Sequence, residues 1–234
     1  MYIRCYLYLF KIYNDDKPLS PLTGERHAEQ IMLSGRSLER QETPDVMGTG
    51  YHAAICAGVV TGKTVAVVGD GAVGLCAVLS AKILGASRII LVGHNEARLK
   101  LGQKFGATDH VSSRQDTKAI EEVIEMTHGG AECVSECVGN RASFDVAIGM
   151  ARPGGITVGF VGVPHVKEAI DLNRMFKHNI SLRGGVAPVR GYIQDLMKHV
   201  LAEKLDPSPV LDMKVHLDDV PKGTPLWIHA IQSR

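Results

Sequence analysis

Three glycines in residues 65–74, VAVVGDGAVG, have the spacing of a turn that binds a dinucleotide phosphate. Gly69 permits the tight bend between a β-branched strand and the helix-forming sequence of residues 75–84. Gly71 lets the backbone approach a pyrophosphate, and Gly74 lets the helix pack close to the strand. The spacing therefore predicts a strand, a phosphate-binding turn and a helix in direct succession.

The first turn of that helix completes the candidate phosphate site. Ala72 and Val73 open the helix, where N–H groups that lack a partner within the helix can donate to an anion. The preceding strand, the following helix and the further strand–helix units favour a dinucleotide site. A tight turn without a ligand and a methyltransferase-type cofactor loop remain as alternatives.

Apolar strands and helical segments alternate regularly from Lys63 onward. This alternation, with short connections, predicts an α/β fold with a doubly wound parallel sheet of the Rossmann type, covered by helices on both faces. We expect strands at about residues 63–69, 88–93, 109–112, 132–138, 155–161 and 179–184. We expect helices at about residues 43–56, 72–85, 95–105, 116–127, 141–151 and 190–203.

The composition is that of a folded cytoplasmic protein, with 45% hydrophobic and 22% charged residues among 234. The formal net charge of +1 gives no reason to expect nucleic acid or an anionic membrane as a partner. No apolar run approaches the roughly 20 residues of a membrane span. The five cysteines are odd in number and form no C-x-x-C pair, which indicates reduced thiols.

The chain is expected to have three parts. Residues 1–42 are rich in tyrosine at the start and polar afterwards, and they show no recognisable chemistry. Residues 43–188 are expected to form the dinucleotide-binding Rossmann domain. Residues 189–234 are expected to form a C-terminal helix and a tail in which two prolines oppose a helix.

Seven motifs follow one another in a specific order across residues 43–220. They are DVMGTGYH (45–52), GKTVAVVGDGAVGL (62–75), LGA (84–86), FGAT (105–108), ECVG (136–139), RPGG (152–155) and GFVGVP (159–164). In this order the motifs resemble the zinc-dependent medium-chain alcohol dehydrogenases, and most closely a bacterial branch that acts on secondary or otherwise unassigned alcohols. The resemblance implies a Rossmann domain bounded by incomplete remnants of the catalytic domain.

The resemblance also implies roles for individual residues. Asp45 takes the place of the third ligand to a catalytic zinc, although from spacing alone it is a favourable acid in the first helical turn. Thr49 takes the place of a threonine that packs against the nicotinamide ring; otherwise its hydroxyl would bond back to a helix carbonyl. Gly162 and Val163 match a segment beside the nicotinamide ribose, and Val138 lies at a strand end in the same expected cofactor site.

The choice between NAD and NADP depends on the end of the second strand. Many proteins that prefer NAD have an acid there that holds the ribose 2′-hydroxyl. This chain has Gly93 at that position, followed by His94, and Arg98 lies one helical turn further on. Because an acid at this position would repel a 2′-phosphate, its absence favours NADP over NAD.

The remaining zinc-site residues of the family are not recognisable before Asp45, where no G-H-E motif occurs. A catalytic zinc needs about three protein ligands and an open position, so we do not expect this chain alone to hold the zinc that the resemblance implies. Two functions follow as alternatives. One is an oxidoreductase that transfers hydride between an alcohol, aldehyde or ketone and NAD(P), and the other is a truncated, catalytically inactive dinucleotide-binding module. No catalytic residue is assigned, and a homo-oligomer is left open.

Overall fold

The computed structural model describes four ranges of the 234-residue chain, which are residues 11–13, 46–164, 170–210 and 214–216. The chain divides into two compact units. The larger unit spans residues 44–207, and the smaller one combines residues 1–43 with residues 208–234. None of the helices in the described ranges is long and apolar enough to cross a membrane.

Eight strands occur in the described residues. They are β1 (Lys11–Tyr13), β2 (Thr64–Val68), β3 (Arg88–Gly93), β4 (Asp109–Ser112), β5 (Cys133–Glu136), β6 (Thr157–Phe160), β7 (Ser181–Gly184) and β8 (Lys214–His216). The six strands of the larger unit form one parallel sheet in the order β4-β3-β2-β5-β6-β7. The predicted doubly wound Rossmann sheet is thereby confirmed.

The connections between these strands are helical. The helices of the described residues are α1 (Val46–Cys56), α2 (Ala72–Ile83), α3 (Glu96–Phe105), α4 (Asp116–Thr127), α5 (Arg141–Met150), α6 (Leu172–His178) and α7 (Val189–Leu201). Local sequence explains several helix ends. Asn95 caps the start of α3 by accepting from the Arg98 N–H, and Gly106 ends that helix in the left-handed conformation.

Alternate residues of the central strands face opposite layers of helices. Ala66, Val68, Ile90 and Val92 belong to one buried cluster with residues of α4 and α5. Leu91, from the other set, lies against Gly102 of α3. Because both faces are covered, the two strands read as continuous apolar runs rather than as an alternating pattern.

Helix α1 packs unusually close to its neighbours because small residues face them. A Cβ atom at Gly50 would lie 2.6 Å from the Ala77 backbone nitrogen of α2. A Cβ atom at Gly159 of β6 would overlap with the backbone of Ala53 and Ala57. Glycine at both positions therefore sets the distance at which α1 crosses the sheet and α2.

One helix of the structure differs from the sequence expectations. Helix α6 was not predicted; it has only seven residues, too few for the apolar spacing of Leu172, Met175 and Phe176 to identify a helix. Strand β1 pairs in parallel with β8, so a part of the tyrosine-rich start is a strand. The expected start of α1 at residues 43–45 and the tail at residues 217–234 lie outside the described residues.

Candidate functional site

Two of the predicted cofactor residues lie where the strand order reverses. Strand β2 is followed along the chain by β3 and β4 on one side, whereas β5 lies on its other side and leads outward to β6 and β7. In sheets of this kind the ligand binds at the carboxyl ends of the two strands at the reversal. Gly69 follows β2 directly, and Val138 follows β5 by two residues.

The glycine turn brings these two strand ends together. Gly69 has a φ of +113°, and a Cβ atom there would lie 2.7 Å from the Val138 side chain. A Cβ atom at Gly74 would overlap with the Gly69 carbonyl oxygen. The Val138 side chain and the Gly69 carbonyl oxygen therefore leave room for nothing larger than glycine at positions 69 and 74.

Gly71 differs from the other two glycines because the space beside it is open. A Cβ atom at Gly71 would meet no other atom within 4 Å. Gly71 is the N-cap of α2 and provides no side-chain hydrogen bond to it, and Ala72 and Val73 are only half-buried. The N–H groups of this first helical turn thus adjoin open space in which an anion can bind, and no acidic side chain lies in the first turn of α2 to repel it.

Asp70, which was not predicted as a site residue, follows β2 in the chain, but its side chain contacts the end of β3. Asp70 is 5% exposed, and its Oδ2 accepts hydrogen bonds from the backbone N–H groups of His94 (2.9 Å) and Asn95 (2.7 Å). A Cβ atom at Gly93 would lie 2.5 Å from the Asp70 Cβ and 2.6 Å from its Oδ2. His94 is exposed, and Arg98 is half-buried. The acid inside the glycine turn was visible in the sequence, but its contact with the next strand was not.

Glu136 organises the end of β5 and was also missed as a separate residue. Its side chain is fully buried, and Oε1 accepts from the Val138 and Gly139 N–H groups, both at 2.8 Å. Burial raises the pKa of Glu136, while the hydrogen bonds from Gly139, Ser143 and Val138 oppose that rise. The carboxyl therefore fixes the course of the loop in which Val138 lies.

The end of β6 contacts the same loop. A Cβ atom at Gly162 would lie 2.7 Å from Glu136 Oε2, and a Cβ atom at Gly139 would overlap with the backbone of Gly162 and Val163. Gly162 is buried, whereas Val163 is 58% exposed. The two predicted segments, around Val138 and around Gly162, are thus in direct contact, and Val163 is left accessible.

Thr49 lies in α1, and its buried hydroxyl is unusual because it makes no hydrogen bond within the described residues. The residue is 7% exposed, and its Oγ1 has no hydrogen-bond partner among the described residues. The expected alternative, a bond back to a helix carbonyl, is not formed. A buried hydroxyl without a partner costs free energy, so a ligand that supplies one would relieve that cost.

His52 of α1 packs against α7. Among the described residues it belongs to no group of side chains that could hold a metal ion. Its Nδ1 lies 2.7 Å from the Tyr192 hydroxyl, and Nε2 lies 3.4 Å from the Cys56 sulfur. Burial, together with the positive charge of Arg183, lowers the pKa of His52. These contacts make His52 a packed, hydrogen-bonded histidine.

The candidate zinc ligand Asp45 lies outside the described residues. Within the described ranges, no three His, Cys, Asp or Glu side chains are placed to hold a metal ion together. This part of the molecule therefore fits a dinucleotide, through the open turn and the unpaired Thr49 hydroxyl, but supplies no zinc site of its own.

Comparison with known proteins places the chain in a family. The family model described as zinc-binding dehydrogenase matches residues 72–202, which is more than half of the chain. The chain belongs to the zinc-binding dehydrogenase family. The matched region runs from the first residue of α2 to the residue after α7, and so includes the ends of β3, β5 and β6 described above.

Individual relatives and structures agree with this assignment. The chain is 35% identical over 181 residues to a probable zinc-binding alcohol dehydrogenase of Mycobacterium tuberculosis, covering 76% of this chain and 46% of that protein. It is 33% identical over 175 residues to the NADP-dependent isopropanol dehydrogenase of Thermoanaerobacter brockii, covering 72% and 49%. The structure of alcohol dehydrogenase TADH from Thermus sp. ATN1 superimposes with a TM-score of 0.73 at 29% identity, covering 80% of this chain and 54% of that one. The chain thus spans about half the length of these relatives.

Proposed function

We propose that the larger unit is the cofactor-binding part of an alcohol dehydrogenase-like oxidoreductase, which transfers hydride between an alcohol and NAD(P). The observation that carries this proposal is the open space at Gly71, at the N-terminus of α2 and at the reversal of the strand order. Membership of the zinc-binding dehydrogenase family and similarity to alcohol dehydrogenases support the reaction class.

Each half of the dinucleotide has its own set of residues in this proposal. The pyrophosphate lies against Gly69, Gly71 and the first turn of α2, where backbone N–H groups and the helix dipole stabilise its charge. The nicotinamide half lies along Thr49 and the loop at Gly162. When bound, the nicotinamide accepts or delivers the hydride, and the protein holds it in the orientation that transfer needs.

The residues around the nicotinamide half act by holding the nicotinamide in position. The Thr49 hydroxyl, which has no partner within the described residues, is available as a donor or acceptor to the cofactor. Glu136 holds the Val138 loop through two backbone hydrogen bonds, and that loop in turn contacts Gly162. The substrate class in this proposal is an alcohol and the corresponding aldehyde or ketone. Asp45 remains a proposed zinc ligand, and no step of the reaction is assigned to zinc.

The test is a titration of the purified 234-residue chain with NADH and with NADPH, followed by nicotinamide fluorescence. Gly71→Ala is the informative variant because a methyl group meets no protein atom there but occupies the space of the pyrophosphate. We expect it to weaken binding about tenfold or more, equal to roughly 1.4 kcal/mol, without lowering the melting temperature.

Gly191→Ala is the matched control, since Gly191 also has open space beside it but lies in α7. It should leave binding unchanged. Failure of the unsubstituted chain to bind either cofactor would overturn the proposal. Binding and alcohol oxidation are measured separately, because binding without turnover would support the alternative of a catalytically inactive dinucleotide-binding module.

A further inference from the structure

The carboxylate of Asp70 lies at the end of β3, which is where dinucleotide-binding folds hold the adenine ribose. In dinucleotide-binding folds, an acid about 20 residues after the glycine turn holds the ribose 2′-hydroxyl. The corresponding strand end here is Gly93, and the Asp70 Oδ2 lies 2.6 Å from the point where a Cβ atom at position 93 would be. We propose that Asp70 takes over this role, so that the chain selects NAD over NADP. This inference rests on the proposed function and makes it more specific.

The same geometry changes the meaning of the glycine at position 93. The sequence shows no acid there, which by itself favours NADP. In the structure, any side chain at position 93 would collide with the Cβ, Cγ and Oδ2 atoms of Asp70. Glycine is therefore required to make room for a carboxylate, and the missing strand-end acid is replaced by one from the glycine turn.

The hydrogen bonds of Asp70 also disfavour a 2′-phosphate. The backbone N–H groups of His94 and Asn95 would be natural donors to that phosphate, but both already donate to Asp70 Oδ2. Among the described residues, Oδ1 accepts no hydrogen bond, so it can accept one from a ribose hydroxyl. A 2′-phosphate would instead meet a buried negative charge whose donors are already engaged.

His94 and Arg98 are the groups that would oppose this selection. Both are basic side chains close to the strand end, and a 2′-phosphate could attract them. His94 is exposed, however, where solvent and salt screen its interactions. Asp70 is 5% exposed and is held in place by two hydrogen bonds. We therefore expect the fixed, buried carboxylate of Asp70 to outweigh the basic side chains in the choice between NAD and NADP.

The test compares dissociation constants for NADH and NADPH on the full chain and on Asp70→Asn. The unsubstituted chain should bind NADH about tenfold more tightly or better, since like charges in contact cost several kcal/mol. Asp70→Asn keeps the size of the side chain and an acceptor oxygen but removes the charge. It should reduce the preference about tenfold, mainly by improving NADPH binding.

Asp145→Asn is the matched control, because it removes one carboxylate from an ion pair with Arg141 on α5. It should leave the NADH to NADPH ratio unchanged. If Asp70→Asn does not fold, competition of bound NADH by 5′-AMP and by 2′,5′-ADP on the unsubstituted chain decides the question, and 5′-AMP should compete better.

Each outcome separates this inference from the proposed function. Equal or tighter binding of NADPH, or an unchanged ratio in folded Asp70→Asn, would overturn the role of Asp70 and leave the dinucleotide site standing. Absence of binding to either cofactor would overturn the proposed function itself, and this inference with it.

Discussion

Substitution of Gly50 by alanine tests whether the close approach of α1 and α2 stabilises the larger unit. A methyl group at position 50 would lie 2.6 Å from the Ala77 nitrogen and 2.7 Å from the carbonyl carbon of Cys76. These are backbone atoms, so no side-chain rotation relieves the overlap. Real Cβ contacts lie at 3.0 Å or more, so the two helices must separate by several tenths of an ångström.

The magnitude follows from two opposing effects. Alanine in a helix is favoured over glycine by about 0.5–1 kcal/mol. Overpacking in a dense interior costs about 1–3 kcal/mol. We therefore expect Gly50→Ala to lower the free energy of unfolding by up to about 2 kcal/mol. For a chain of this size that corresponds to a decrease of roughly 2–4 °C in melting temperature per kcal/mol.

The assay is thermal and urea unfolding beside Gly191→Ala, a helical glycine that meets no neighbour. The control should be unchanged or stabilised by up to about 1 kcal/mol. The difference between the two variants measures the cost of separating α1 from α2. Equal stabilisation of both variants would refute the reasoning, because it would mean that α1 and α2 separate at little cost in free energy.

Two further predictions concern buried titratable groups. Burial raises the pKa of Glu136 above its ordinary value of 4.5, so the folded state binds the carboxyl proton more tightly than the unfolded state does. The protonated carboxyl therefore stabilises the fold, and this contribution to the free energy of unfolding is lost as the pH rises through the folded pKa. Glu136→Gln should remove that loss, so its melting temperature relative to the unsubstituted chain should increase between about pH 4 and pH 8. A difference in melting temperature that stays constant over this range would contradict the effect of burial on Glu136. Burial likewise raises the pKa of Cys133 to about 11, which leaves a thiolate fraction of about one thousandth at pH 8. Alkylation mapped by mass spectrometry should therefore be slow at Cys133 in the native protein and fast in guanidinium, and fast native labelling would contradict the described packing.

The sequence predicted the architecture well because its signals are local. The apolar runs at Val65–Val68 and in β3, the glycine turn and the cap at Gly106 each specify a short element, and parallel order follows from their alternation with helices. Helix α6 was missed since its seven residues are too short a stretch for their apolar spacing to identify a helix.

The details of the site were less predictable because they depend on contacts between distant segments. The meaning of Gly93 changes with the position of Asp70, which lies one strand earlier in the chain. The importance of Glu136 likewise depends on its burial and on the backbone N–H groups that it accepts from, and not on the motif that contains it. Spacing along the chain identifies the turn, but packing places the Asp70 carboxylate at the end of β3.

The strand order has a consequence for how the chain folds during synthesis. Strands β2, β3 and β4 are made first and are paired with one another, whereas the other edge of β2 waits for β5, which is made only after α4. Until then the apolar edge of β2 is an open template for pairing with other chains. A ribosome that slows after β4 has emerged and before β5 has emerged would expose this edge for longer, so aggregation of nascent chains should be most sensitive to translation speed in that interval.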